Sequence, residues 1–223
     1  MRLPRLDVTF NASGAAAAGA AGKVVCIVDV VDSSTSAEVA VAAGAVEVMG
    51  AAPREARVPV KVEPGAIGRR AAAAAIREAT DVVVIAEPRV GSEDERRSRA
   101  LPVLQALRTQ RIDYELAPNQ GAEVERAVRL RGRVAVIVSS TGGTAFDAAM
   151  AAGARAACFA TTGRIEGRTG WDVLQRGVRR AIDLAHRSET DLSVVAASAN
   201  SSDDVLAAFE LARAVIAEGF LQI

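Results

Sequence analysis

Four short stretches of this chain are almost wholly apolar and do not alternate. That pattern limits the fold more than any other feature of the sequence. They are VVCIV at 24–28, DVVVIA at 81–86, VAVIV at 134–138 and LSVVAA at 192–197. A strand that is apolar on both faces has to be covered on both faces, as strands are inside an α/β sheet. Between these runs lie helical patterns, so the order alternates strand and helix and predicts an α/β fold with largely parallel or mixed buried sheets. With 223 residues the chain is long enough for one large domain or two small ones.

Residues 24–49 state the unit most plainly. An apolar run ends at Asp29, the hydroxyl cluster Ser33, Ser34, Thr35 and Ser36 follows, and an alanine-rich helix stops at Gly44 before a second apolar run. The same order returns at 134–160, with Ser139-Ser140-Thr141-Gly142-Gly143-Thr144 as the turn, AAGA again as the stop, and another strand. A looser third copy starts at Asp191. Shared order points to an internal duplication, hence to two related three-layer α/β halves, 1–118 and 119–223, facing a shared cleft.

The rest of the chain reads more weakly. Residues 3–10 suit an edge strand after Pro4, and 11–22 a flexible loop or weak helix. Residues 51–68 hold Pro53, Pro59 and Pro64, which predicts loop with a short strand at 58–62. The charged segment 91–99 reads as a solvated loop or helix start. A helix is expected over 123–130, one capped by Asp172 runs to about His186, and a closing helix covers 204–218. Trp171 reads as a packing anchor.

Lys+Arg 27 balances Asp+Glu 27, so no global field favours nucleic acid or a membrane surface. Cys26 and Cys158 fall inside apolar runs and read as free buried thiols. No apolar run after Arg2 and Arg5 suits a signal peptide, and no window approaches the roughly 18 apolar residues of a membrane span. The expectation is a soluble cytoplasmic protein with no nucleic-acid or membrane partner. Its alanine-rich helices leave room for a homodimer.

Chemistry concentrates at strand ends. The turn at 139–144 combines hydroxyls with glycines at a helix start, where unsatisfied N–H groups and the helix dipole favour an anion. It lacks the lysine of a P-loop, and Ser and Thr are also ordinary caps. Asp29 in an apolar strand is costly unless hydrogen-bonded, paired or bound to metal. Asp32, Glu87, Asp203 and Asp204 also stand at strand ends, and an oxygen-only donor set suits Mg²⁺. Arg89 can clamp an anion or pair with Glu87. The sole histidine, His186, sits near a helix end, so neither a Ser-His-Asp triad nor a Cys-His pair can be built.

At these positions the chain resembles the phosphosulfolactate phosphatase (ComB-like) family. The resemblance rests on Asp29-Val30-Val31-Asp32-Ser33-Ser34-Thr35 followed by Ala43-Gly44-Ala45, on Ala86-Glu87-Pro88-Arg89, on Pro118-Asn119, on Ser140-Thr141-Gly142-Gly143-Thr144 and on Ser201-Ser202-Asp203-Asp204. Asp32 stands where the family motif has arginine, Gly142 where it has asparagine, and Pro88 separates Glu87 from Arg89. The resemblance implies two related α/β halves and Mg²⁺-dependent hydrolysis of a phosphate ester on a small anionic acid. It implies Asp29, Glu87 and Asp203 as metal ligands, with Asp29, Asp32 and Asp204 as catalytic acids. Ser33, Ser34, Thr35, Arg89, Asn119 and Ser139–Thr144 (Ser139, Ser140, Thr141, Gly142, Gly143, Thr144) would bind substrate. A non-catalytic descendant, binding a small molecule or serving in an assembly, is the alternative.

Overall fold

The structure, a computed structural model, describes residues 3–222. Its strands are β1 (Leu6–Phe10), β2 (Val24–Val28), β3 (Glu47–Ala51), β4 (Val82–Ala86), β5 (Tyr114–Pro118), β6 (Val134–Val138), β7 (Ala156–Ala160) and β8 (Leu192–Ala196). The helices are α1 (Asn11–Ala20), α2 (Ser33–Ala43), α3 (Pro64–Arg77), α4 (Glu93–Arg99), α5 (Leu101–Thr109), α6 (Val124–Ala127), α7 (Gly142–Ala151), α8 (Gly170–Arg187) and α9 (Ser202–Ala217).

The strands form two four-stranded sheets, A in the order β1-β8-β2-β7 and B in the order β5-β4-β6-β3, and every ladder is parallel. The four apolar runs of the sequence became β2, β4, β6 and β8. These are the two inner strands of each sheet, buried throughout. Helices α2 and α7 touch strands of both sheets and so lie between them, while α8 and α9 cover sheet A from outside and α3 covers sheet B. Alternate residues of β2 divide accordingly. Val25 and Ile27 join the core shared with sheet B, and Val24, Cys26 and Val28 join a second core with α8 and α9.

The duplication is visible in the spacing. Leu6 and Tyr114, Val24 and Val134, Glu47 and Ala156, and Val82 and Leu192 open matching strands, and they stand 108, 110, 109 and 110 residues apart. Registers match as well: Val24 pairs with Leu192 in sheet A as Val134 pairs with Val82 in sheet B. Both α2 and α7 are followed by a left-handed glycine, Gly44 (φ 89°) and Gly153 (φ 102°), a conformation that costs glycine least.

Neither half of the chain owns a sheet. Sheet A takes β1 and β2 from the first half and β7 and β8 from the second, and sheet B takes β3 and β4 with β5 and β6. The repeat turns over between α5 and β5, ahead of the expected boundary at 118/119, because β5 is the counterpart of β1.

Several local expectations are settled between their alternatives, and others are corrected. Residues 11–20 form a helix, because small residues let α1 lie almost against α7. A Cβ on Gly19 would sit 2.3 Å from the Ala149 carbonyl oxygen, so packing overrides the poor propensity of glycine here. Residues 58–62 form no strand. Segment 91–99 holds α4, started by a capping box between Ser92 and Glu95. The cap of α8 is Thr169, with Asp172 completing a capping box three residues in, and Ser201 caps α9. Helix α6 is a single turn after a short 3-10 turn at Gly121–Glu123, much less than 123–130. Trp171 is 56% exposed and anchors little. Among the described residues no helix is long and apolar enough to cross a membrane.

Candidate functional site

Each inner strand delivers its C-terminal residue to one region, and the β2–α2 and β6–α7 turns meet there. Asp29 follows β2 and is 5% exposed. Its Oδ2 accepts the Thr141 hydroxyl at 2.6 Å and the Gly142 N–H at 2.9 Å, across the boundary between the two repeats. The Ser33 hydroxyl donates to Ser139 Oγ at 2.6 Å and closes the same junction. Position 142 has to be glycine, since a Cβ would lie 2.8 Å from both Asp29 Oδ2 and Ser33 Cβ.

The remaining hydroxyls fasten the turns. Ser34 Oγ accepts the Asp29 N–H at 2.9 Å and donates to the Ile27 carbonyl at 3.0 Å. Thr35 donates to the Val30 carbonyl at 2.5 Å, and Thr144 to the Ser139 carbonyl at 2.9 Å. Ser139 Oγ accepts the Gly143 N–H at 2.7 Å. The first N–H groups of α7, expected to face an anion, are therefore already bonded to Asp29 and Ser139.

Two further carboxylates play equivalent parts in the two repeats. Asp204 Oδ1 accepts the Val30 N–H at 2.9 Å, and Glu87 Oε2 accepts the Ser140 N–H at 3.1 Å. Val30 and Ser140 each stand two residues past an inner strand, so each turn is tied by an acid from beyond the neighbouring strand's end. Asp204 Oδ2 also accepts the Ser198 N–H at 3.1 Å. Glu87 adds an Arg99 guanidinium N–H at 3.3 Å, and Arg99 bonds Ser140 Oγ as well.

The pKa values of these acids are shifted upward. Burial pushes Asp204 up to about 6, the Val30 N–H opposes that, and the charge of Asp29 adds to it. Burial also raises Glu87, against the Ser140 N–H and Arg99 and with help from Asp29 and Asp32. Asp32 is raised by burial and then by Asp29, while Arg89 pulls it down. Asp29 is thus the shared neighbour of three carboxylates. Asp32 Oδ1 is buried and lacks a hydrogen-bond partner.

Beside Asp32, exposed Arg89 donates to the Gln120 carbonyl at 2.6 Å. Asn119 is buried there. Its Oδ1 accepts the Ser36 hydroxyl at 2.5 Å, and its Nδ2 has no partner. On the α7 side a cavity of about 380 Å³ opens between Asn11, Ser140, Thr141 and Ser198 on one hand and Val58 and Pro59 on the other.

The region therefore gathers Asp29, Asp32, Glu87, Asp204, Arg89, Asn119 and both turns. It does not gather Asp203, which is exposed and accepts the Ser202 hydroxyl at 3.4 Å. Among the described residues no three His, Cys, Asp or Glu side chains are placed to hold one metal ion together. Sequence reasoning missed Arg99, hidden in a segment whose charges read as solvated, and Asn11, assigned to a loop or weak helix. The matching positions of Asn11 and Asn119 after β1 and β5 were the available signal for the latter. No protein-family model, curated protein or solved structure matches this chain.

Proposed function

We propose that this cleft binds a small phosphate ester together with Mg²⁺ and hydrolyses the ester, an activity like that of the phosphosulfolactate phosphatases. One observation carries the reading: four carboxylates converge at strand ends, and burial and neighbouring negative charge raise the pKa of three of them. Such a cluster gains from a cation, and carboxylates beside phosphate donors are an ordinary setting for one.

The donor set fits Mg²⁺ in a limited way. Mg²⁺ often takes only one or two carboxylates, with waters and substrate phosphate completing its shell. Asp32, with its unpartnered buried Oδ1, and Glu87 are the suited pair. Asp29 supplies nearby negative charge while its Oδ2 stays with Thr141 and Gly142. Asp203 has no part in this arrangement. Once bound, the cation would neutralise charge on the transferring phosphoryl group and lower the pKa of a bound water.

The chain's own residues do the rest. Arg89 meets a second anionic group of the substrate, which suits a small sulfonated or carboxylated acid. Ser140 and Thr141, on the wall of the cavity, orient the ester. Asp204 has both oxygens on backbone N–H groups and acts by positioning the β2–α2 turn. A reducing cytoplasm suits the two free buried thiols, Cys26 and Cys158.

Purified protein with Mg²⁺ and a panel of small phosphate esters is the test. Phosphate release that disappears in Asp32→Asn supports the reading, and no release from any ester sinks it. A specific observation favours one other reading, a binding protein without turnover: Asp29 already occupies the α7 donors a phosphate would use. In that case esters bind, in the wild type and in Asp32→Asn alike, and none is cleaved.

A further inference from the structure

At the amino ends of sheet B, one strand length from the cleft (about 17 Å), the turns before β4, β5 and β6 surround a cavity of about 680 Å³. A second cavity of about 610 Å³ shares Glu115, Arg129 and Arg131 with it. Arg133 on this wall is spent. Its guanidinium bonds Asp81 at 2.5 Å, Glu115 at 2.7 Å and the Arg129 carbonyl at 3.0 Å. It engages two of the three carboxylates lining the larger cavity and offsets one of their two charges. Arg111, Arg129 and Arg131 remain, all exposed and, among the described residues, engaged in no ion pair, against Asp113 and the one charge of Asp81 and Glu115 that Arg133 does not offset. Glu125 lines the outer cavity.

The duplication separates what the fold needs from what it does not. Arg133 pairing with Glu115 has its counterpart in Lys23 pairing with Asp7, at the matching spacing in sheet A. The partners of Arg129, Arg131 and Arg111 by the same spacing are Gly19, Ala21 and Leu3. One repeat builds this edge with no charge at those three positions, so the arginines are not required for the edge to form.

We propose that Arg111, Arg129 and Arg131 form a binding site for a small polyanion carrying two linked or closely spaced phosphates, separate from the cleft. Three unpaired guanidinium forks around one cavity present planar donors that suit phosphate oxygens bidentately. A single phosphate would engage one or two of them, and a diphosphate can engage all three.

Pyrophosphate, titrated calorimetrically into the full chain without divalent cation, is the probe. The double substitution Arg129→Gln/Arg131→Gln should weaken binding by at least about tenfold. The pair Arg164→Gln/Arg168→Gln removes the same charge elsewhere and should leave binding within about twofold, as should Arg89→Gln in the cleft. An equal loss in both double variants would reduce the effect to net charge and overturn the proposal. Loss only in Arg89→Gln would move the binding to the cleft, and no measurable binding to the wild type would also refute it.

Discussion

Replacing Asp204 with asparagine should change both the stability and its pH dependence. In the folded chain Asp204 is pushed up to about 6 from an ordinary 3.8. Well below the ordinary 3.8 the carboxyl is protonated in both folded and unfolded chains, and its full contribution to stability is present. As the pH rises through about 6 the folded chain must hold a carboxylate that burial and Asp29 disfavour, and that contribution is lost. The step from 3.8 to about 6 is worth at most about 3 kcal/mol, and water reaching the nearby cavity reduces it to roughly 1–3 kcal/mol. The substituted amide cannot titrate. It keeps one acceptor for the Val30 or Ser198 N–H and turns an amide N–H against the other, a pH-independent cost of about 1–3 kcal/mol. Urea unfolding of both proteins between about pH 4 and pH 7.5 reads the difference. The wild type's advantage should be largest at the acid end and shrink by roughly 1–3 kcal/mol towards neutrality. A gap that is flat, or that widens with pH, would refute the placement of Asp204 as a buried, charge-crowded acid.

Gly19→Ala should cost about 1–3 kcal/mol in thermal unfolding, because its Cβ would lie 2.3 Å from the Ala149 carbonyl oxygen and force α1 off α7. Asp147 accepts the Ala52 N–H at 3.0 Å and the Glu63 N–H at 2.7 Å. Asp147→Ala should therefore cost about 2–4 kcal/mol and speed proteolysis within residues 52–63. Arg180, the partner of buried Glu38, also bonds the Phe159 carbonyl at 2.7 Å. Removing it as Arg180→Ala should cost about 3–5 kcal/mol, and adding Glu38→Gln should recover part of that loss in a double-mutant cycle.

The inner strands were legible because a doubly covered strand needs side chains that are apolar on both faces, and β2, β4 and β6 read so without ambiguity. Helix α1 was not, since its glycines and alanines look weak locally and are stable only because α7 accepts so close an approach. Asp29 announced itself as an acid beside an apolar strand. Its partners did not, because Thr141 and Gly142 come from the other repeat and only the tertiary pairing of β2 with β7 and β6 with β3 brings them over. The hydroxyl clusters were legible as turn chemistry. Ser34, Thr35 and Thr144 fasten their own backbone, a role local sequence cannot distinguish from binding an anion. The duplication showed in residues 32–48 and 139–159, but the exchange of strand pairs between sheets is a matter of pairing and left no mark in composition.

Calorimetric binding of Mg²⁺ in the presence of inorganic phosphate, compared in the wild type, Asp32→Asn and Asp203→Asn, bears most directly on the acidic cleft as a cation site. The expected result is binding to the wild type, retained in Asp203→Asn and lost in Asp32→Asn. Binding that survives Asp32→Asn and vanishes with Asp203→Asn, or no binding to the wild type at all, would contradict it.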